Sequence, residues 1–231
     1  MGKKDLGKRS VCEGCGKVLV WWELVPVVSW IFLRGKCWKC EKKIGLVEIL
    51  GEVGMGVVFG LSFWFWPFEL GGWMEILRFG VFLLGVVGMG ILLIYDLLYK
   101  EMPTGVLIFL NACAILYVIL GIEGFFGVSE ILSLLGGVLI LGGIYFGLYK
   151  FSKEKWVGSG DWILGVALAL FLGRWELALF TLAIANTLAC FWAVPRLAKK
   201  NRESLPFGPF LIVGFLVVFL MQGWVMGLIN I

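Results

Sequence analysis

No histidine occurs among the 231 residues of this chain. Ser-His-Asp and Cys-His triads are therefore excluded, as is the HExxH zinc site of metalloproteases. Charge is scarce as well. Asp, Glu, Lys and Arg make up 16% of the chain, against roughly 25% in soluble domains. Only three aspartates are present, Asp5, Asp96 and Asp161. Apolar residues fill the space, at 61% of the chain, accompanied by 33 glycines and 12 tryptophans. Glycine is common where membrane helices pack and tryptophan at membrane interfaces, so the composition is that of an integral membrane protein.

The intervals without charge predict the membrane spans. They cover 53–68, 79–95, 102–122, 131–149, 162–173, 177–195 and 204–231. Six approach or exceed the ~20 residues that a spanning helix needs. The interval 162–173 is short: at 1.5 Å per residue it covers about 18 Å of a ~30 Å hydrocarbon core. It closes on Gly173, and a sharp turn into the next helix is expected. The segment 24–33 contains Pro26 and reads as interfacial or packed, not spanning. The expected fold is an all-α polytopic membrane protein of about seven transmembrane helices, with a small cytoplasmic zinc-binding segment.

Lys and Arg set the expected orientation. Ten of the 20 lie in residues 1–45; Lys100, Lys150, Lys153, Lys155, Arg196, Lys199, Lys200 and Arg202 add eight. Seven spans threaded from a cytoplasmic N-terminus put these eighteen inside and leave only Arg78 and Arg174 outside, as the positive-inside rule requires. Asp96, in LLIYDLLYKEMP, and Asp161, in GSGDWILG, then fall at the same depth on the cytoplasmic side.

A lone aspartate at a helix start is usually a cap. That reading suits Asp161 and fails for Asp96, which ends its helix, where the macrodipole disfavours an anion. Two carboxylates in a partly dry site share one proton. The ionised one activates a water and the protonated one donates to a carbonyl oxygen. Without histidine, a pair of carboxylates is the best machinery this chain has for hydrolysis.

Cys12-Glu-Gly-Cys15 and Cys37-Trp-Lys-Cys40 form a second candidate site, a CxxC…CxxC pattern with 21 residues between the pairs. Two disulfides or one four-thiolate metal site would account for it. The spacing and a reducing compartment favour structural zinc. Cys113 and Cys190 lie in apolar runs and read as packing residues. GEVGMG (51–56) and GVVGMG (85–90) also lie in apolar runs and read as helix-packing glycines, without a nucleotide-binding role.

Taken in order, C12EGC15…C37WKC40, IGLVEILGE, D96LLYKEMP103, G158SGD161 and L205PFGPF210 resemble the bacterial type IV prepilin leader peptidase/N-methyltransferase family, of the GxGD membrane aspartyl proteases. The resemblance covers almost the whole chain. It implies that Asp96 and Asp161 are the catalytic pair and that Cys12, Cys15, Cys37 and Cys40 belong to a cytoplasmic cysteine domain (1–45) ahead of a transmembrane peptidase domain (46–231). Gly158 and Gly160 would shape the turn that presents Asp161, using glycine's access to unusual backbone angles. It further implies a plasma (inner) membrane location and cleavage, on the cytoplasmic face, of the basic leader of prepilins or type II secretion pseudopilins. The cut follows a glycine just before an apolar helix. Methylation of the new N-terminus by S-adenosylmethionine goes with it.

Partners implied are the prepilin or pseudopilin and membrane lipid, with no nucleic acid. The sequence departs from the family at Ile163, where a lysine is frequent, and at Thr104, where Pro-Asp is frequent. A peptidase without methyltransfer, or a transporter using Asp96 and Asp161 as ion ligands, are the alternatives. A presenilin-like protease shares the two aspartate motifs but lacks the tetracysteine segment.

Overall fold

The computed structural model describes residues 10–68, 70–121, 127–152, 157–198 and 206–229. All named elements among them are helical. A 3₁₀ turn (Trp21–Leu24) and a short helix α1 (Val28–Phe32) precede α2 (Leu46–Trp64), α3 (Trp73–Tyr99), α4 (Thr104–Leu120), α5 (Val128–Val138), a π-helical turn (Leu139–Gly143) and α6 (Ile144–Ser152). Then come α7 (Ser159–Leu172), α8 (Trp175–Ala198), α9 (Gly208–Leu220) and α10 (Gln222–Ile229). Among the described residues, three stretches are long and apolar enough to span a bilayer: Trp73–Tyr99, Val128–Ser152 and Trp175–Val194. Four shorter apolar helices bring the total to the seven runs expected, and the chain is a multi-pass membrane protein.

Two expectations hold in detail. Helix α7 has 14 residues, about 21 Å at helical rise. It stops at Gly173, in the left-handed region with φ 70°, whose N–H donates to the Ala169 carbonyl at 3.0 Å. Segment 24–33 contains only the end of the 3₁₀ turn and α1. One expectation fails: 204–231 is not a single helix, because α9 ends at Leu220 and α10 begins at Gln222. Neither a charge nor a proline marks this break; only Gln222-Gly223 interrupts the apolar run.

The chain forms two compact units, Met1–Gly60 and Leu61–Ile231. In the first, two hairpins repeat one pattern 25 residues apart. Val11 bridges Val18 and Lys36 bridges Lys43. The Cys12 N–H donates to the Lys17 carbonyl at 2.8 Å, and the Cys37 N–H to Lys42 at 2.9 Å. The residue after each cysteine pair has positive φ, Gly16 at 67° and Glu41 at 56°, so only the first hairpin places glycine where glycine fits best.

The second unit has an aromatic core. Phe82 stacks on Phe219 with ring centroids 4.3 Å apart, and Phe171 meets Phe82 edge-on at 5.8 Å. Such pairs add about 0.5–1.5 kcal/mol each beyond area burial. The Phe171 ring also lies on Gly85, where a Cβ would come within 2.6 Å of its Cζ. Helices α8 and α9 cross on small residues: a Cβ at Gly214 would stand 3.0 Å from the Thr181 carbonyl and 3.3 Å from Ala185 Cβ. In lipid, close packing of this kind drives helix association. Far along α3 from Asp96, the Arg78 guanidinium lies 4.0 Å from the Phe68 ring centre and 4.5 Å from that of Tyr117.

Candidate active site and metal centre

Asp96 lies in the last turn of α3, where its own helix dipole opposes an anion. Another helix offsets this. The N–H of Gly208, the first residue of α9, donates to Asp96 Oδ2 at 3.0 Å, and a helix N-terminus favours negative charge. Asp96 is buried, and the chain leaves α3 at Lys100, whose N–H donates to the Asp96 carbonyl at 2.9 Å.

Asp161 is the third residue of α7 and is also buried. It is not the N-cap. Gly158 holds that position, and its N–H donates to Asp161 Oδ2 at 2.9 Å, the side-chain half of a capping box. Asp161 Oδ1 is buried and has no hydrogen-bond partner. Just beyond, Asn111 Nδ2 donates to the Ile163 carbonyl at 3.2 Å and to the Leu107 carbonyl at 2.9 Å, tying α4 to the first turn of α7.

Met102 joins the two carboxylate sites. A Cβ on Gly160 would stand 2.8 Å from Met102 Sδ. One on Gly208 would overlap Met102 Cε and come within 2.9 Å of Asp96 Oδ2. Met102 thus fills the space between the start of α7 and the start of α9. The glycines of GSGD have a different use from the one expected: Gly158 is extended at φ −76°, and Gly160 is not among the residues with positive φ. At Gly160 the value lies in close approach to Met102; a Cβ at Gly158 would make only an ordinary contact, 3.5 Å from Asp161 Oδ2. With both ends gathered around Met102, Asp96 and Asp161 are close enough to interact through their charges. Gly208 and Met102 were not singled out from the sequence, although both fall in quoted motifs, LPFGPF and DLLYKEMP.

The four cysteines come together as well. Cys12, Cys15, Cys37 and Cys40 have all Sγ atoms within 4.8 Å of one another, and Cys12 Sγ is 3.7 Å from Cys40 Sγ. None is in a disulfide. Sulfurs on a tetrahedral metal with bonds of about 2.3 Å would be about 3.8 Å apart. The cluster could hold a metal ion. The backbone N–H groups of Cys15 and Gly14, with Cys37 beside them, lower the Cys12 thiol to about 6. Cys40 is pushed up to about 11: the Lys42 N–H acts against the rise, but desolvation and the neighbouring Cys15, Cys37 and Cys12 outweigh it.

Nearby, Glu23 is buried and pairs with Lys17 Nζ at 2.7 Å while accepting the Val20 N–H at 3.0 Å. The Lys17 hydrogen bond is the main cause holding its carboxyl below the usual range. Glu52 accepts the N–H of Val27 at 2.7 Å, supporting a β-branched residue at φ 62°.

The Bacterial Peptidase A24 N-terminal domain matches residues 3–66. Similarity to curated proteins extends over nearly the whole chain. A prepilin leader peptidase/N-methyltransferase of Stutzerimonas stutzeri is 26% identical, covering 94% of this chain and 70% of its own length. Its counterpart in Vibrio cholerae is 26% identical over 91% of this chain and 80% of that protein. The one in Neisseria gonorrhoeae is 29% identical, covering 91% and 70%. No solved structure matches.

Proposed function

Because this chain is a relative of the bacterial prepilin leader peptidase/N-methyltransferases, we propose that it removes the leader of a type IV prepilin or pseudopilin by aspartyl chemistry. One observation carries the reading. Two buried aspartates from α3 and α7 each have one oxygen held by a backbone N–H, and Met102 packs between Gly160, beside Asp161, and Gly208, whose N–H holds Asp96. Of the two, one is ionised and takes a proton from water; the water oxygen attacks the scissile carbonyl carbon. The protonated partner gives its proton to the carbonyl oxygen, forming a gem-diol. Collapse breaks the C–N bond, with a proton passing to the leaving amine. The reaction runs at the cytoplasmic face of the plasma membrane, the side to which the basic loops point. A transporter reading has no comparable support.

The division of labour follows 1–45 and 46–231, the first as a cysteine segment and the second as the peptidase. Zinc suits the cysteine cluster: four thiolates are its usual structural set and leave no open position for catalysis. One zinc per chain is expected, held by Cys12, Cys15, Cys37 and Cys40. Metal analysis of purified protein should find it, and Cys37→Ser should lose it and melt at lower temperature. Protein that contains no zinc, or that carries a Cys12–Cys40 disulfide when isolated from the cytosolic side, contradicts the assignment.

Methylation of the new N-terminus is the second activity proposed, with S-adenosylmethionine as donor of the methyl group. A cavity of about 380 Å³ in the first unit is lined by Glu23, Glu52, Ser29 and Trp30 among others, within the ~300–1,000 Å³ of small-molecule sites. Glu23 is already held by Lys17 and the Val20 N–H, so it is the exposed Glu52 that suits an ammonium or ribose hydroxyl, and the Trp30 indole suits adenine. These residues would bind and orient the donor.

The substrate prediction separates a membrane-embedded peptidase from a general protease. The apolar helix behind the cut should lie against the spans that carry Asp96 and Asp161, leaving the basic leader at the cytoplasmic rim. Replacing that helix with a polar linker of equal length should reduce cleavage by about 100-fold, the loss expected when the scissile bond is no longer positioned. Equal cleavage of both substrates, read on a gel, would sink this part of the account.

A further inference from the structure

Tyr145, on α6, belongs to neither the sequence motifs nor the aspartate pair. It is 3% exposed, and its hydroxyl is buried with no hydrogen bond of good geometry. A tyrosine hydroxyl buried in a folded protein is normally paired, so an orphan calls for an explanation. Its surroundings supply one. The Tyr145 ring packs on Phe207 at 5.2 Å, and Phe207 immediately precedes the glycine that holds Asp96. The next residue, Phe146, meets Trp162 edge-on at 5.3 Å, and Trp162 immediately follows Asp161. Tyr145 therefore stands between the loop that fixes one carboxylate and the helix start that bears the other. The Asn186 side chain of α8 is within hydrogen-bonding reach of its hydroxyl, and Asp161 is near enough to interact electrostatically.

Two buried groups thus lack a well-formed hydrogen bond, the Tyr145 hydroxyl as donor and Asp161 Oδ1 as acceptor, and they interact electrostatically. We propose that Tyr145 is a third member of the active site, donating its O–H to the oxygen that develops negative charge as the scissile carbonyl becomes tetrahedral. The inference rests on the aspartyl reading above. The hydroxyl keeps its proton throughout, so the atom balance of the hydrolysis is unchanged. An oriented donor at that oxygen lowers the barrier without strengthening ground-state binding.

Tyr145→Phe tests this, because it retains the ring that packs on Phe207 and removes only the hydroxyl. With purified protein and a prepilin, kcat should fall about 100-fold, the loss typical of one oxyanion donor, while KM stays within about two-fold. The melting temperature should match that of the unaltered protein. A purely structural hydroxyl would lower the melting temperature and leave kcat of the folded fraction intact, and that result overturns the proposal. Wild-type kcat in Tyr145→Phe overturns it too. Asp161→Asn, assayed in parallel, separates the two ideas. If it is inactive while Tyr145→Phe is fully active, only the role of Tyr145 fails. If Asp161→Asn still cleaves, the aspartyl reading fails and takes this inference with it.

Discussion

Asp96→Asn and Asp161→Asn are each expected to lose prepilin cleavage by several orders of magnitude, and the double variant to be little worse than either. Groups that act as one unit lose most of their effect when any member is removed. The structure makes Asp161→Asn a sharp test, because asparagine keeps an oxygen able to accept the Gly158 N–H. A residue that merely completed the capping box would tolerate the exchange. Asp96→Asn likewise retains an acceptor for the Gly208 N–H. Both variants should insert, melt near the wild-type temperature and hold zinc, since their changes leave the cysteine hairpins alone. Near-normal cleavage by Asp161→Asn, measured by initial rate, would reduce the residue to a helix-end acceptor.

Gly165→Ala is expected to be the most damaging change away from the aspartates. A Cβ there would overlap the Leu141 carbonyl oxygen and stand 2.8 Å from its carbon and 3.3 Å from the Gly142 nitrogen. All three are backbone atoms of the π-helical turn, so no side chain can swing aside. Overpacking of this kind costs about 1–3 kcal/mol. Here α7 must also shift, and Asp161 sits one helical turn earlier. A displacement of about 1 Å at the chemistry is worth about 100-fold in rate. The melting temperature in detergent and the cleavage rate should therefore both fall. Gly147→Ala is the control: nothing lies within 4 Å of a Cβ there, and alanine is the better helix former. Unchanged stability and rate in Gly165→Ala would show that α7 is not seated by this contact.

The spans and the cysteine cluster were legible in the sequence for a simple reason. Lipid penalises charge at every position, so charge-free runs outline the helices. A CxxC pair brings its two sulfurs together through one local turn, whatever the rest of the chain does. Asp96 and Asp161 stood out because so few aspartates remain. What surrounds them was not legible. The N–H that offsets the dipole at Asp96 belongs to Gly208, 112 residues away. Met102 acquires its place only when α7 and α9 close on it. Gly160 is required for space, and a motif shows that glycine is required without showing whether angle or space requires it. Tyr145 had no signal at all, being one aromatic residue in an apolar helix until its orphan hydroxyl is set beside Asp161. The break at Met221 was equally silent, for the run 204–231 contains no charge.

Mass spectrometry of a prepilin after incubation with the purified protein tests the central claim most directly. The account predicts a product whose new N-terminus lies just before the apolar helix, directly after a glycine. That product should form with the wild-type protein and be missing with Asp96→Asn and Asp161→Asn. Intact prepilin after incubation with folded, zinc-loaded wild-type protein, or the same product from either asparagine variant at a comparable rate, would contradict it.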